Sequence, residues 1–126
     1  MAEQHEALDG ARAALTAAGI EYQLRDDHVT VPPDVEAVLA WAVREGTTNV
    51  VRHSHADRCS IRVHTDRETA AVEVEDNGTA PSSSARAGSG LAGLRERARA
   101  ARGTVEAGPG REGGFRLRVT IPLTEP

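Results

Sequence analysis

Three short stretches of this 126-residue chain hold residues whose types and spacing could do chemistry. The first is Glu45-Gly-Thr-Thr-Asn49-Val-Val-Arg52-His53. At about 100° per residue, Glu45, Asn49 and Arg52 fall on one line along a helix, beside its apolar stripe. An amide oxygen is a hard ligand for Mg²⁺, which keeps most of its waters and takes few protein ligands. Arginine makes charge-assisted contacts to phosphate, and glutamate can orient or deprotonate a water. The line suits a magnesium phosphate; an ordinary solvated helix face has the same pattern.

The second stretch, Glu75-Asp76-Asn77-Gly78, ends an alternating run. A carboxylate there can accept a proton of adenine's exocyclic amine, and Gly78 lets the chain turn close to a flat ring. A plain Asp-Asn-Gly turn uses the same residues. The third, Gly88-Ser-Gly90-Leu-Ala-Gly93, opens a helix, where glycines let backbone amides approach phosphate oxygens. It also spells the dinucleotide pattern G-x-G-x-x-G. That pattern needs a strand feeding directly into the glycines, but a Ser/Ala-rich loop intervenes, and only 33 residues follow Gly93. A dinucleotide fold is therefore rejected.

Other candidates carry less. His53, His55, Cys59 and His64 could be metal ligands, but Cys59 and His64 are an odd number apart and face opposite sides of a strand. Ser82, Ser83, Ser84 and Ser89 lack a nucleophile-elbow context. Trp41, near the Glu45 line, is read as core or interface packing. All 15 basic residues are arginine, which excludes Schiff-base chemistry, a P-loop and the usual protein-kinase fold, each of which needs a lysine. One cysteine excludes a disulfide framework. A net charge of −4 and 2% aromatics argue against nucleic acid as a partner. No apolar run approaches a membrane span and Met1–Gly10 has no signal pattern, so a cytoplasmic domain without direct membrane contact is expected.

The elements that must position these residues are read from periodicity. Leu8, Ala11, Leu15 and Ala18 make a helix over about 6–18, capped by Gly19. Ile20–Leu24 alternates as a strand, Asp26-Asp27-His28 reads as a turn, and Val29-Thr30-Val31 follows. Pro32-Pro33-Asp34 starts a long helix that runs to about His53, with Val35, Leu39, Ala42, Val43, Gly46 and Val50 as its stripe. Residues 59–64 and 70–75 form a hairpin around Asp66-Arg67-Glu68. A long loop, 77–90, leads into a helix with Leu91, Leu94, Ala98 and Ala101 on one face and Gly103 closing it. Strands 104–107 and 115–121 complete the chain. The order fits an α+β fold, a two-layer α/β sandwich with an antiparallel-rich sheet and helices on one face.

Each motif is weak alone, but their order and spacing are specific. Glu-x-x-x-Asn on a helix, Asp-x-Gly after a strand, then a loop and Gly-x-Gly opening a helix resembles the nucleotide-binding boxes of the GHKL (Bergerat-fold) ATPase superfamily. The wording looks most like the catalytic, ATP-binding domain of a two-component sensor histidine kinase of the NarL-partnered type. Ala-Ala-Gly-Ile20, Val-Arg-Glu45-Gly-Thr-Thr-Asn49-Val-Val-Arg52-His53-Ser54, Gly90-Leu-Ala-Gly-Leu-Arg-Glu-Arg and Gly-Gly-Phe115-Arg-Leu-Arg-Val-Thr-Ile-Pro carry the likeness, over about residues 8–123.

The resemblance implies that Asn49 ligates Mg²⁺ and that Asp76 binds the adenine amine of ATP, with Gly78 beside the ring. It places Arg52 and His53 by the phosphates, lets Gly88 and Gly90 frame a lid over Thr79–Ala87, and starts the following helix at Leu91. Glu45 matches the acid that activates water in the superfamily's ATPases. Gly46 and Thr47 stand where better helix formers are expected, at about 1 kcal/mol for the glycine. No basic His-Asp/Glu phosphoacceptor box is present, and His5 has no such context. Residues 1–126 are therefore expected to be one catalytic domain without its dimerisation domain. It would bind Mg-ATP and phosphorylate a histidine on that separate helical domain, serving a response regulator indirectly, within a parent protein that can be membrane-anchored. The alternatives are an anti-sigma factor serine kinase of the same superfamily and a non-catalytic nucleotide-binding or interaction module.

Overall fold

Alternation builds the sheet. In β2 (Arg58–Thr65) Cys59, Ile61, Val63 and Thr65 are buried, and in β3 (Thr69–Asp76) Ala70, Val72, Val74 and Asp76 are. β5 (Phe115–Pro122) repeats the pattern with Phe115, Leu117, Val119 and Ile121. Side chains alternate between faces along a strand, so these residues make one apolar face. The other face is polar, and on it Arg116 Nε donates to Glu73 Oε2 at 2.7 Å. β1 (Glu21–Asp27) and β4 (Thr104–Pro109) form the edges of a five-stranded sheet of order β1-β2-β3-β5-β4. β1 runs parallel to β2 and every other pair is antiparallel.

The chain is seen in a computed structural model that describes residues 2–27, 30–53, 55–78, 90–111 and 113–123, with the side chains of residues 2–5 and of His53 outside that description. The helices among the described residues are α1 (Ala2–Ala17), α2 (Pro33–His53) and α3 (Leu91–Ala100). α2 lies on β3 and β5, α3 lies on β4, β5 and α2, and α1 packs on α2 and β1. Val35, Leu39, Ala42, Val43 and Val50 are all buried, as the stripe on α2 requires. Pro33 opens the helix and Asp34 and Glu36 place acids in its first turn, where the helix dipole favours them. The two-layer α/β sandwich with a mixed, mostly antiparallel sheet is thus the observed architecture.

Several boundaries differ from the periodic reading. Asp26 and Asp27 continue β1 instead of turning, because Asp26 and Asp27 stand in register with Val63 and His64 of β2. His64 Nδ1 lies 2.8 Å from Asp27 Oδ1, which ties the strand end across the pair. Of the Val29-Thr30-Val31 stretch that follows, Thr30 and Val31 have no regular structure, and Val29 lies outside the described residues. Ala18 is exposed because α1 has ended one residue before it.

The helix ends also differ in detail. Gly19, at φ 73°, closes α1 as expected, with Ile20 N donating to Leu15 O and Gly19 N to Thr16 O. At α3 the left-handed residue is Arg102, at φ 64°, and not Gly103. Gly103 instead lets the chain pass close to β5: a Cβ there would lie 2.6 Å from Thr120 O and 2.9 Å from Ile121 Cγ1. Gly103→Ala is expected to cost about 1–3 kcal/mol through overpacking. Gly10→Ala, where a Cβ would meet nothing within 4 Å, is expected to gain about 0.5–1 kcal/mol by restricting the unfolded chain and favouring the helix. Urea unfolding midpoints of opposite sign for the two variants check this.

Candidate nucleotide-binding site

Two close contacts bring three elements to one place. At Gly46 a Cβ would lie 2.7 Å from Val74 Cγ2, so α2 presses on β3 two residues before Asp76. At Gly90 a Cβ would overlap the Glu45 carboxylate, so the start of α3 sits on α2. Gly90 also has φ 77°, a backbone conformation that side chains other than glycine rarely adopt. Glu45 is half-buried, and Asn49 lies one helical turn, about 6 Å, beyond it.

Asp76 ends β3 and is 3% exposed. Its Oδ1 accepts from Gly78 N at 2.8 Å and from Phe115 N at 3.4 Å. A side chain at position 114 would overlap the Asp76 carbonyl and stand 2.7 Å from Oδ1, so only glycine fits beside it. The Asx turn at Asp76 therefore exists, but it is half of a buried arrangement that also takes in the β4–β5 hairpin. Asn77 serves as a bracket. Its Oδ1 accepts from Asp57 N and Arg58 N, and its Nδ2 donates to Asp57 Oδ1 at 2.7 Å. Glu75, on the polar face, accepts Arg111 N at 2.6 Å and holds the hairpin from the other side.

Asn49 is 3% exposed, and its Nδ2 has no hydrogen-bond partner among the described residues. Leaving a buried donor unpaired costs about 1–3 kcal/mol, a cost shared among the described residues by the Trp41 indole and the Thr47 and Thr65 hydroxyls. The two ends of the Asn49 amide exchange by rotation about χ2, offering either a donor to phosphate or an oxygen to a cation. Among the described residues no group of three His, Cys, Asp or Glu side chains could hold a metal ion. A divalent ion at Asn49 would thus take most of its ligands from water and phosphate, the habit of Mg²⁺.

Glu45, Asn49, Asp76, Gly78 and Gly90 thus come from the adjoining parts of α2, β3 and α3. Leu91, 2% exposed, starts α3 as expected. Gly90 caps that helix with no side-chain hydrogen bond, and its first turn holds no acid. Arg52 is exposed and borders a furrow toward α1. Gly88 and the lid expected over Thr79–Ala87 lie outside the described residues, as does the His53 side chain. Trp41 packs as expected between α2 and α3, with the Arg97 guanidinium 4.0 Å from its ring centroid. Gly114 and the Phe115 amide were not among the expected site residues; the signal for them is the Gly-Gly-Phe that opens β5.

A profile of the histidine kinase-, DNA gyrase B-, and HSP90-like ATPase family matches residues 34–125, and the chain belongs to that family. Sensor histidine kinase YvfT of Bacillus subtilis (strain 168) is 27% identical over 103 residues, 82% of this chain and 27% of its own length. Sensor histidine kinase DesK of the same organism is 34% identical over 89 residues, 69% of this chain and 24% of its own. The chain spans about a quarter of the length of the curated relatives it matches. The ATP-binding domain of PrrB from Mycobacterium tuberculosis has the same fold, with a TM-score of 0.68, 24% identity and coverage of 95% of this chain and 93% of that one. Histidine kinase AdeS of Acinetobacter baumannii superposes with a TM-score of 0.77 at 18% identity, over 98% of this chain and 64% of that one. No helix among the described residues is long and apolar enough to cross a membrane.

Cys59 stands in register with Asp76, under the same site. Burial pushes its thiol up to about 12, and the charge of Asp76 adds to the shift. The thiolate is the reactive form, so at pH 8 iodoacetamide should label Cys59 at least about a hundredfold more slowly in the folded chain than in urea. Mass spectrometry reads the difference, and prompt labelling of the folded chain would contradict the burial.

Proposed function

We propose that this chain binds Mg-ATP between the end of β3 and the flank of α2, and transfers the γ-phosphate to a histidine on a helical dimerisation domain. The observation that carries the reading is Asp76: a buried carboxylate fixed by two backbone N–H groups, with Gly114 packed against it where no side chain fits. Such a carboxylate accepts the hydrogen bond of adenine's exocyclic amine. Gly78 leaves room for the ring.

The remaining roles follow from charge and position. The backbone of Gly90 and the first turn of α3 offer N–H groups to phosphate oxygens at a helix N-terminus. Arg52, exposed on α2, supplies charge to the phosphates, while the parts expected of the His53 side chain and of Gly88 fall outside the described residues. Asn49 would hold Mg²⁺, which when bound neutralises charge on the phosphate oxygens and favours departure of ADP. Glu45, beside Gly90, orients the incoming histidine nitrogen in line with the γ-phosphorus. The phosphohistidine then supplies a response regulator, on the cytoplasmic side, where ATP is available. The kinship with sensor histidine kinases supports histidine over serine as the acceptor.

Titration calorimetry tests the pocket. Asp76→Ala should weaken adenine nucleotide binding at least about tenfold, the 1.5–3 kcal/mol of a hydrogen bond to a charged group. Asn49→Ala should weaken ATP binding chiefly when magnesium is present. Wild-type affinity in Asp76→Ala would remove the pocket. Mixing the chain with its helical domain and γ-labelled ATP should place label on that domain, stable to base and lost in acid. Label on this chain alone, or acid-stable label on a protein antagonist, would overturn the histidine assignment.

A further inference from the structure

A furrow of about 430 Å³ runs between α1 and the C-terminal half of α2. The α1 side is a floor of small residues, Ala7, Gly10, Ala11 and Ala14, with the exposed Glu6 at one end, and at Gly10 the space is open. From α2 it is lined by Thr47, a residue 5% exposed whose hydroxyl has no hydrogen-bond partner. Val51 lies on the same side and is the one large exposed hydrophobic residue among those described, at 41%. Small residues on one wall and an apolar anchor on the other are what a docked helix needs for close approach.

The rim carries charge. Arg44, Thr48 and Arg52 recur at i, i+4 and i+8, a ridge about 12 Å long. Both arginines are exposed and neither pairs with an acid among the described residues, in contrast to Arg116 with Glu73 on the sheet. With Arg52 assigned to the phosphates and Glu6 at one end on α1, Arg44 is the charge on the α2 edge that calls for a carboxylate on the occupant. The ridge ends at Arg52, three residues beyond Asn49, so whatever fills the furrow passes beside the phosphate end of the proposed nucleotide site.

We propose that the α1–α2 furrow docks an acidic amphipathic helix of the dimerisation domain, with Val51 as its apolar anchor and Arg44 as the charge that sets its register. This rests on the phosphotransfer function proposed above. Docking there brings the acceptor domain to the end of the site from which the γ-phosphate leaves.

Val51→Glu and Arg44→Glu test it, since both residues are exposed and neither belongs to the nucleotide site. Both variants should keep wild-type ATP affinity by calorimetry. Each should transfer label to the histidine-bearing helical domain at least tenfold more slowly below saturation, with KM raised and kcat little changed. Replacing a flanking acid of that helix by lysine should restore transfer to Arg44→Glu. Transfer by both variants within twofold of wild type would overturn the docking site. If the wild-type chain binds ATP but transfers no label, the function fails instead. The furrow is then decided by the anisotropy of a fluorescent helical peptide with leucine anchors and a glutamate flank. Binding to wild type that is lost in Val51→Glu upholds the furrow, and no binding overturns it. Concentration-dependent self-association of the chain that Val51→Glu abolishes would assign the furrow to a second copy and likewise overturn the proposal.

Discussion

The seating of α2 on β3 at Gly46 and Val74 is the contact on which the rest of the arrangement depends. A side chain at position 46 would hold the helix off the strand, since Val74 already occupies the space a Cβ needs. With the helix down, Asn49 lies three residues past the contact on α2, Asp76 two residues past it on β3, and Glu45 meets the start of α3. The glycine that weakens α2 by helix propensity is therefore the residue that lets α2 approach. Local preference is given up where tertiary geometry needs it, as is common at functional sites.

The polar groups around this contact are distributed unevenly. Asp76 is buried with its Oδ1 bonded to two backbone amides, so it is fixed in place by the protein itself. Asn49, equally buried, keeps an unpaired Nδ2. A fold serving stability alone would pair or replace that amide. One group is preorganised and the other is not, a division that the proposed function uses for base and phosphate. The membership of the chain in the histidine kinase-, DNA gyrase B-, and HSP90-like ATPase family agrees with such a pocket.

Much of this was legible in the residues themselves. The alternation in β2, β3 and β5, the stripe on α2 and the glycine cap of α1 are local patterns, and each gave the observed element. The course of β1 through Asp27 was not legible, because acidic residues at a chain bend read as a turn until the parallel register with β2 is known. The left-handed residue after α3 was assigned to the wrong position for a related reason: glycine is the usual occupant, but Gly103 is taken up by its approach to Thr120 and the strain passes to Arg102. Gly114 stands beside Asp76 although the two are almost forty positions apart along the chain, so no local pattern marks its role.

By itself the order of residues determined which chemistry this protein can attempt: an acid and an amide one turn apart, a carboxylate closing a strand, glycines opening a helix, and no lysine anywhere. Those are matters of composition and short spacing, carried by neighbours within a few positions. Only the tertiary structure decided that Asp76 is anchored by the Phe115 amide, that Glu45 rests on Gly90, and that an open furrow with unpaired arginines lies on the other flank of the same helix. Each of these depends on how closely two distant segments approach, and that distance is set by side-chain volume across the interface, which no local pattern encodes.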